Sequence, residues 1–119
     1  MRILVFVLLL LAQVALAQQR SGTIGSCSAS CTTAATSAVL QDGFNAVTFQ
    51  YVGSGTISYD LQNSIDNGTT WTTVTGGSCA SCTSPQKYVV TYPAGSYRFN
   101  VTACSSCTYS FKWMSVDLR

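Results

Sequence analysis

Histidine and glutamate are absent from this chain, and its only acids are Asp42, Asp60, Asp66 and Asp117. General acid–base catalysis usually draws on His or Glu, and hydrolytic zinc sites on His. The inventory therefore argues against an enzyme and against a resident metal or other cofactor. Charge of either sign is scarce, at 8% of the 119 residues, against about 25% in an ordinary soluble domain. Six basic residues against four acidic ones leave a formal charge of +2. That is too little for a surface that follows a phosphate backbone, so nucleic acid is not an expected partner. The length allows one domain.

The one long apolar run stands at the start. Arg2 precedes Ile3 to Leu11, and the segment closes on Ala15-Leu16-Ala17. A charged start, a short apolar stretch and an A-x-A site are the marks of a secretory signal peptide. The stretch is shorter than the roughly 20 residues that span a bilayer. Cleavage after Ala17 would remove Arg2 and leave five cations against four acids, a net charge of +1. The expected organisation is a signal peptide over 1–17, an N-terminal arm with the first cysteine pair over 18–34, and one β-domain over 35–119. A secreted or cell-surface location follows, with no membrane span after signal removal.

Export decides how the six cysteines read. They form three close pairs: Cys27 with Cys31, Cys79 with Cys82, and Cys104 with Cys107. In a cytosolic chain the two C-x-x-C pairs would suggest zinc. In an exported chain an even count reads first as disulfides. Connectivity stays open between local bridges and long-range links such as Cys82–Cys104. Loop entropy favours the long link, at about 3.4 against about 2 kcal/mol. The small residues inside each pair (Ser28-Ala29-Ser30, Ala80-Ser81, Ser105-Ser106) permit the tight turn of a local bridge, and three local bridges are the favoured reading.

Beyond Ala17 the pattern is alternation with β-branched and aromatic residues, the strand signal. Val47, Phe49 and Tyr51 share a face, as do Ile57, Tyr59 and Leu61, then Tyr88, Val90 and Tyr92, then Tyr97, Phe99 and Val101, then Phe111 and Trp113. Turn residues separate these runs at Asp42-Gly43, Gly53-Ser54-Gly55, Asp66-Asn67-Gly68, Gly76-Gly77 and Pro93-Ala94-Gly95. Seven strands are predicted, near 35–40, 44–52, 56–64, 69–75, 87–92, 96–103 and 108–117. The fold class is all-β: a single antiparallel β-sandwich of about seven strands, immunoglobulin-like or jelly-roll. If successive strands alternate in direction, all six cysteines gather at one pole.

Ser64-Ile65-Asp66-Asn67-Gly68-Thr69-Thr70-Trp71 fits S-x-D-x-G-x-T-W. This stretch resembles the Asp-box hairpins of secreted glycosidase propellers and of small bacterial or phage-type β-sandwich modules. The resemblance implies a structural hairpin in which Ser64, Asp66, Gly68 and Trp71 form the turn. It implies no glycosidase activity, since the box occurs once and the catalytic Glu is missing. Asn67-Gly68-Thr69 and Asn100-Val101-Thr102 are glycosylation sequons. Trp71 and Trp113 read more readily as core than as sugar-stacking platforms. Asp60 and Asp66 fall short of the six to eight oxygens that calcium takes.

A secreted, nearly uncharged surface rich in Ser, Thr and Asn suits association with copies of itself. The expected role is a non-catalytic structural subunit of an extracellular filament, pilus-like or other surface assembly, joined by strand-edge contacts between identical copies. Residues Gln18 to Ser26 are expected as an arm ahead of the first strand. The alternative is a small secreted carbohydrate-binding or adhesive module, whose partners would be glycans. That reading requires at least two aromatics exposed in line on one face.

Overall fold

The computed structural model describes residues 18–36, 39–40 and 46–117. The expected signal peptide and the Asp42-Gly43 turn lie outside the described residues. The rest is all-β and antiparallel, with six strands: β1 (Gln18–Cys27), β2 (Val39–Leu40), β3 (Ala46–Ser64), β4 (Thr72–Cys82), β5 (Gln86–Thr91) and β6 (Ser96–Asp117). Strands β3 and β6 pair along almost their whole length, from Ala46 opposite Val116 to Ser64 opposite Ser96.

Two contacts show that this long pair is doubled over. Phe99 and Phe111 lie twelve residues apart on β6, about 40 Å along a straight strand, yet their rings stack at 4.2 Å. Tyr51 and Tyr59 lie eight residues apart on β3, about 26 Å if straight, with ring centroids 5.2 Å apart. Both strands therefore turn back near 53–56 and 104–108, where the register shifts between Ser54 and Thr56. Such bulges bend a strand without ending its pairing.

The bend makes two layers from one sheet. In the first, the order is β1, the end of β6, the start of β3, then β5. In the second it is β2, the start of β6, the end of β3, then β4. Between them lie Val47, Phe49 and Tyr51 from one layer and Ile57, Leu61, Phe99 and Val101 from the other, all buried. These are the residues whose alternation marked them as inward-facing. A slip of one residue would turn every one of them to solvent, so the pattern fixes the register.

Six strands are described where seven were expected. The Gly53-Ser54-Gly55 and Cys104–Cys107 segments are bends inside continuous strands, not hairpin loops between separate ones. Glycine is what makes this close bend possible. A Cβ on Gly53 would lie 2.1 Å from the Thr108 carbonyl oxygen, and one on Gly55 would lie 2.3 Å from that of Ser106. Gly76-Gly77, read as a turn, sits inside β4, where three extra residues bulge between the Asp60–Ser78 and Gln62–Thr73 pairs. The run 18–26, read as an arm, is β1 itself, paired with Met114, Trp113, Lys112 and their neighbours on β6. Its single large apolar residue, Ile24, is buried in the core, which anchors a strand that is otherwise polar.

Candidate functional site

The two ends of the folded sheet carry the singled-out residues. At the bend end, Ile57 pairs with both Cys82 and Cys104, Tyr59 with Cys79, and Cys27 with Tyr109. All six cysteines therefore stand around the bend. They are joined locally as Cys27–Cys31, Cys79–Cys82 and Cys104–Cys107. No described cysteine is free, so the zinc reading of the C-x-x-C pairs does not hold. Three disulfides point to an extracellular or otherwise oxidising environment. Cys79 and Cys107 are buried and the other four pack against the core, so the bridges cap it rather than offer an open redox site.

At the opposite end sits the Asp-box hairpin. The Ser64 hydroxyl donates to Asp66 Oδ1 at 2.8 Å and accepts from the Gly68 amide at 2.9 Å. Asp66 Oδ1 also accepts the Thr70 amide at 2.8 Å. The Thr70 backbone bond, then its hydroxyl, then the Ser64 hydroxyl hold the Asp66 carboxyl down at about 2, below its ordinary 3.8. Trp71 Nε1 donates to the Gly68 carbonyl at 3.1 Å, closing the turn. Asn67 and Gly68 both take positive φ, 62° and 86°. Every named box residue is engaged in building the turn.

Neighbouring elements lock this end. Asn63 donates its side-chain amide to the Ala94 carbonyl at 2.7 Å, so the Pro93-Ala94-Gly95 turn lies beside the box. Arg98 Nε donates to Gln62 Oε1 at 2.8 Å, and its guanidinium stands 4.3 Å above the Trp71 ring. The lid of Arg98 covers one face of Trp71. Trp113 is half-buried against the core, its indole nitrogen 2.7 Å from where a Gly22 Cβ would be. Tyr92, expected to share the face of Tyr88 and Val90, lies beyond β5 at positive φ and is 85% exposed. No row of exposed aromatics forms among the described residues.

The remaining singled-out residues are dispersed. Asp60 lies inside β3 opposite Ser78 and Asn100, while Asp66 is taken up by its turn, so the two acids share no site. No group of three or more His, Cys, Asp or Glu stands together among the described residues in a way that could hold a metal. Of the sequons, Asn67 is at the exposed hairpin tip, whereas Asn100 is half-buried and bridged by Ala35.

Sequence reading expected strand-edge contacts but did not say which strands carry the open edges. In the first layer, among the described residues, β1 and β5 pair only on their inner sides, with β6 and β3 respectively. Strand β5 alternates half-buried and exposed residues, with Val89 62% exposed. No described helix is long and apolar enough to cross a membrane.

No protein-family model and no curated protein sequence matches the chain. Its fold is similar to that of the crystal structure of SPBc2 prophage-derived protein YomS, with a TM-score of 0.61 and 10% sequence identity. That match covers 85% of this chain and 95% of YomS. At such identity the likeness concerns the fold alone.

Proposed function

We propose that this protein is a secreted, non-catalytic structural subunit that joins copies of itself through sheet edges. The observation that carries this reading is the first layer, whose outermost strands, β1 and β5, have no partner on their outer edges among the described residues. Unpaired edges are templates for another strand, and soluble proteins usually guard them with charge, proline or a covering element. Here β5 reads Gln-Lys-Tyr-Val-Val-Thr, with Lys87 its only charge and no proline. Docking the β5 edge of one copy on the β1 edge of the next is a head-to-tail contact. Head-to-tail contacts propagate into open filaments unless rotation closes them. The low net charge removes the repulsion that would otherwise keep identical copies apart.

Finer features fit the same reading. The doubled-over sheet is a sandwich drawn from one continuous ladder, and the disulfides at its bend would harden a unit exposed outside a cell. The alternative, a sugar-stacking module, needs aromatic platforms, and Arg98 over Trp71 leaves less of one.

The mature protein (residues 18–119) should form filaments or concentration-dependent oligomers in negative-stain microscopy and light scattering. Val89→Lys puts a charge on the β5 edge and should shift the population to monomer without lowering the melting temperature by more than a few degrees. A wild-type protein that stays monomeric across the accessible concentration range would overturn the proposal.

A further inference from the structure

The outer face of the first layer carries a groove of about 440 Å³, which neither the disulfides nor the strand edges explain. Its floor follows from register. Thr23 is opposite Lys112, Lys112 is opposite Gln50, and Gln50 is opposite Lys87. These four residues form one row across four strands, all on the side away from the core. In the adjoining row Met114 stands opposite Thr48. Adjacent strands are spaced at about 4.8 Å, so the two lysines stand about 10 Å apart with an amide between them. Neither lysine is engaged in an ion pair among the described residues. Asp60 and Asp66 belong to the other layer or its hairpin.

We infer that this groove binds an acidic polysaccharide, with Lys87 and Lys112 taking carboxylates or sulfates on the chain. The surrounding groups favour a sugar over other polyanions. Gln50, Thr48 and Thr23 supply the neutral donors and acceptors that hydroxyl-rich rings need. Met114, 43% exposed, offers an apolar patch for the C–H face of a ring. A nucleic-acid strand would call for a longer basic track, and this row has two cations; the one aromatic lining the groove, Trp113, is packed against the core. The groove lies across the sheet face while assembly is assigned to its edges, so the two can be tested apart.

The probe is an oligogalacturonate of about ten residues, titrated by calorimetry into the mature protein at low and physiological salt. A neutral malto-oligosaccharide and a single-stranded DNA of equal charge serve as comparators. The acidic sugar should bind, with the neutral sugar and the DNA each at least roughly tenfold weaker, the scale of one charge-assisted hydrogen bond. Lys87→Gln and Lys112→Gln should each weaken binding by roughly tenfold. Gln50→Leu, which leaves charge unchanged, should weaken the sugar but not the DNA. Melting curves confirm that each variant is folded, and Val89→Lys, which adds a cation in the Thr48–Met114 row beside the groove, should bind the acidic sugar at least as tightly as wild type whether or not it assembles. Absence of binding, equal affinity for DNA and sugar, or indifference to both lysine substitutions would overturn the assignment.

Discussion

Ser30, Ser81 and Ser106 occupy equivalent places, each directly before the second cysteine of its pair, and each takes a positive φ of 53°, 50° and 46°. Residues other than glycine reach this region at a cost of roughly 1–2 kcal/mol, because Cβ crowds the following carbonyl. The repetition means that a short bridge needs a left-handed residue to turn the chain, and a small side chain is the least costly that still carries Cβ. Ser81→Gly should therefore leave stability unchanged or raise it by up to about 1 kcal/mol, after allowing for the greater freedom of glycine in the unfolded chain. Ser81→Val should lower it by about 1–2 kcal/mol, since branching at Cβ worsens the same clash. For a domain of this size 1 kcal/mol is about 4–8 °C in Tm, so thermal melts under oxidising conditions resolve the pair. If Val and Gly melt alike, backbone conformation is not what selects serine. That small residues lie inside each pair was legible from sequence; that one of them must be left-handed was not, because φ leaves no mark on composition when the residue is serine.

At the scale of an element, the Asp-box hairpin is the part that sequence describes most completely. Its bonds run within eight residues, so the motif carries nearly all of the information that positions it. The lowered Asp66 carboxyl gives a pH signature with a definite sign. A group whose folded value lies below its unfolded one stabilises the fold above the unfolded value and loses that effect as pH falls through the folded one. For Asp66 the contribution is complete above about 3.8 and is lost as pH falls through about 2. Asp66→Asn should melt below wild type at pH 7, and the gap should close as pH drops from 4 to 2. A gap that persists unchanged at pH 2 would mean the charge is not what holds the turn. The facing turn contributes a second test: a Cβ on Gly95, at φ 78°, would lie 2.1 Å from the Ser64 carbonyl oxygen. Gly95→Ala should lower Tm by several degrees, with the loss localised to the hairpin end in hydrogen exchange. Strand β1 was illegible by contrast. Gln-Gln-Arg-Ser-Gly-Thr-Ile-Gly-Ser-Cys contains one large apolar residue, and its place depends on backbone pairing with β6 rather than on any alternation of its own.

For the whole molecule, burial parity was readable and connectivity was not, for one physical reason. Alternation reports which side of a strand faces the core, and Phe49, Tyr59, Phe99 and Phe111 are buried as their parity requires. It does not report whether glycine between two strands ends the ladder or bends it. Gly53-Ser54-Gly55 and Cys104–Cys107 do the latter, in register with each other, so the two layers share two unbroken strands. All three disulfides stand at this bend. Each closes only a few residues and is worth about 2 kcal/mol in the chain-entropy account, about 6 kcal/mol together. Domains of this size are stable by only about 5–15 kcal/mol, so reduction should bring the protein close to its unfolding threshold. The loss should also be uneven. Pairing of 59–64 with 96–101 and of 46–51 with 111–116 lies away from the bend, whereas amides at 53–57 and 104–108 depend on the bridged turns. Hydrogen exchange after mild reduction should deprotect the bend first and the two arms of the ladder later. Simultaneous loss along the full length of β3 and β6 would show that the sheet opens as one unit, with the bridges restraining only the unfolded chain. Early loss at the bend would show that they hold the two layers face to face, and that the cysteine pole is the hinge on which the fold closes.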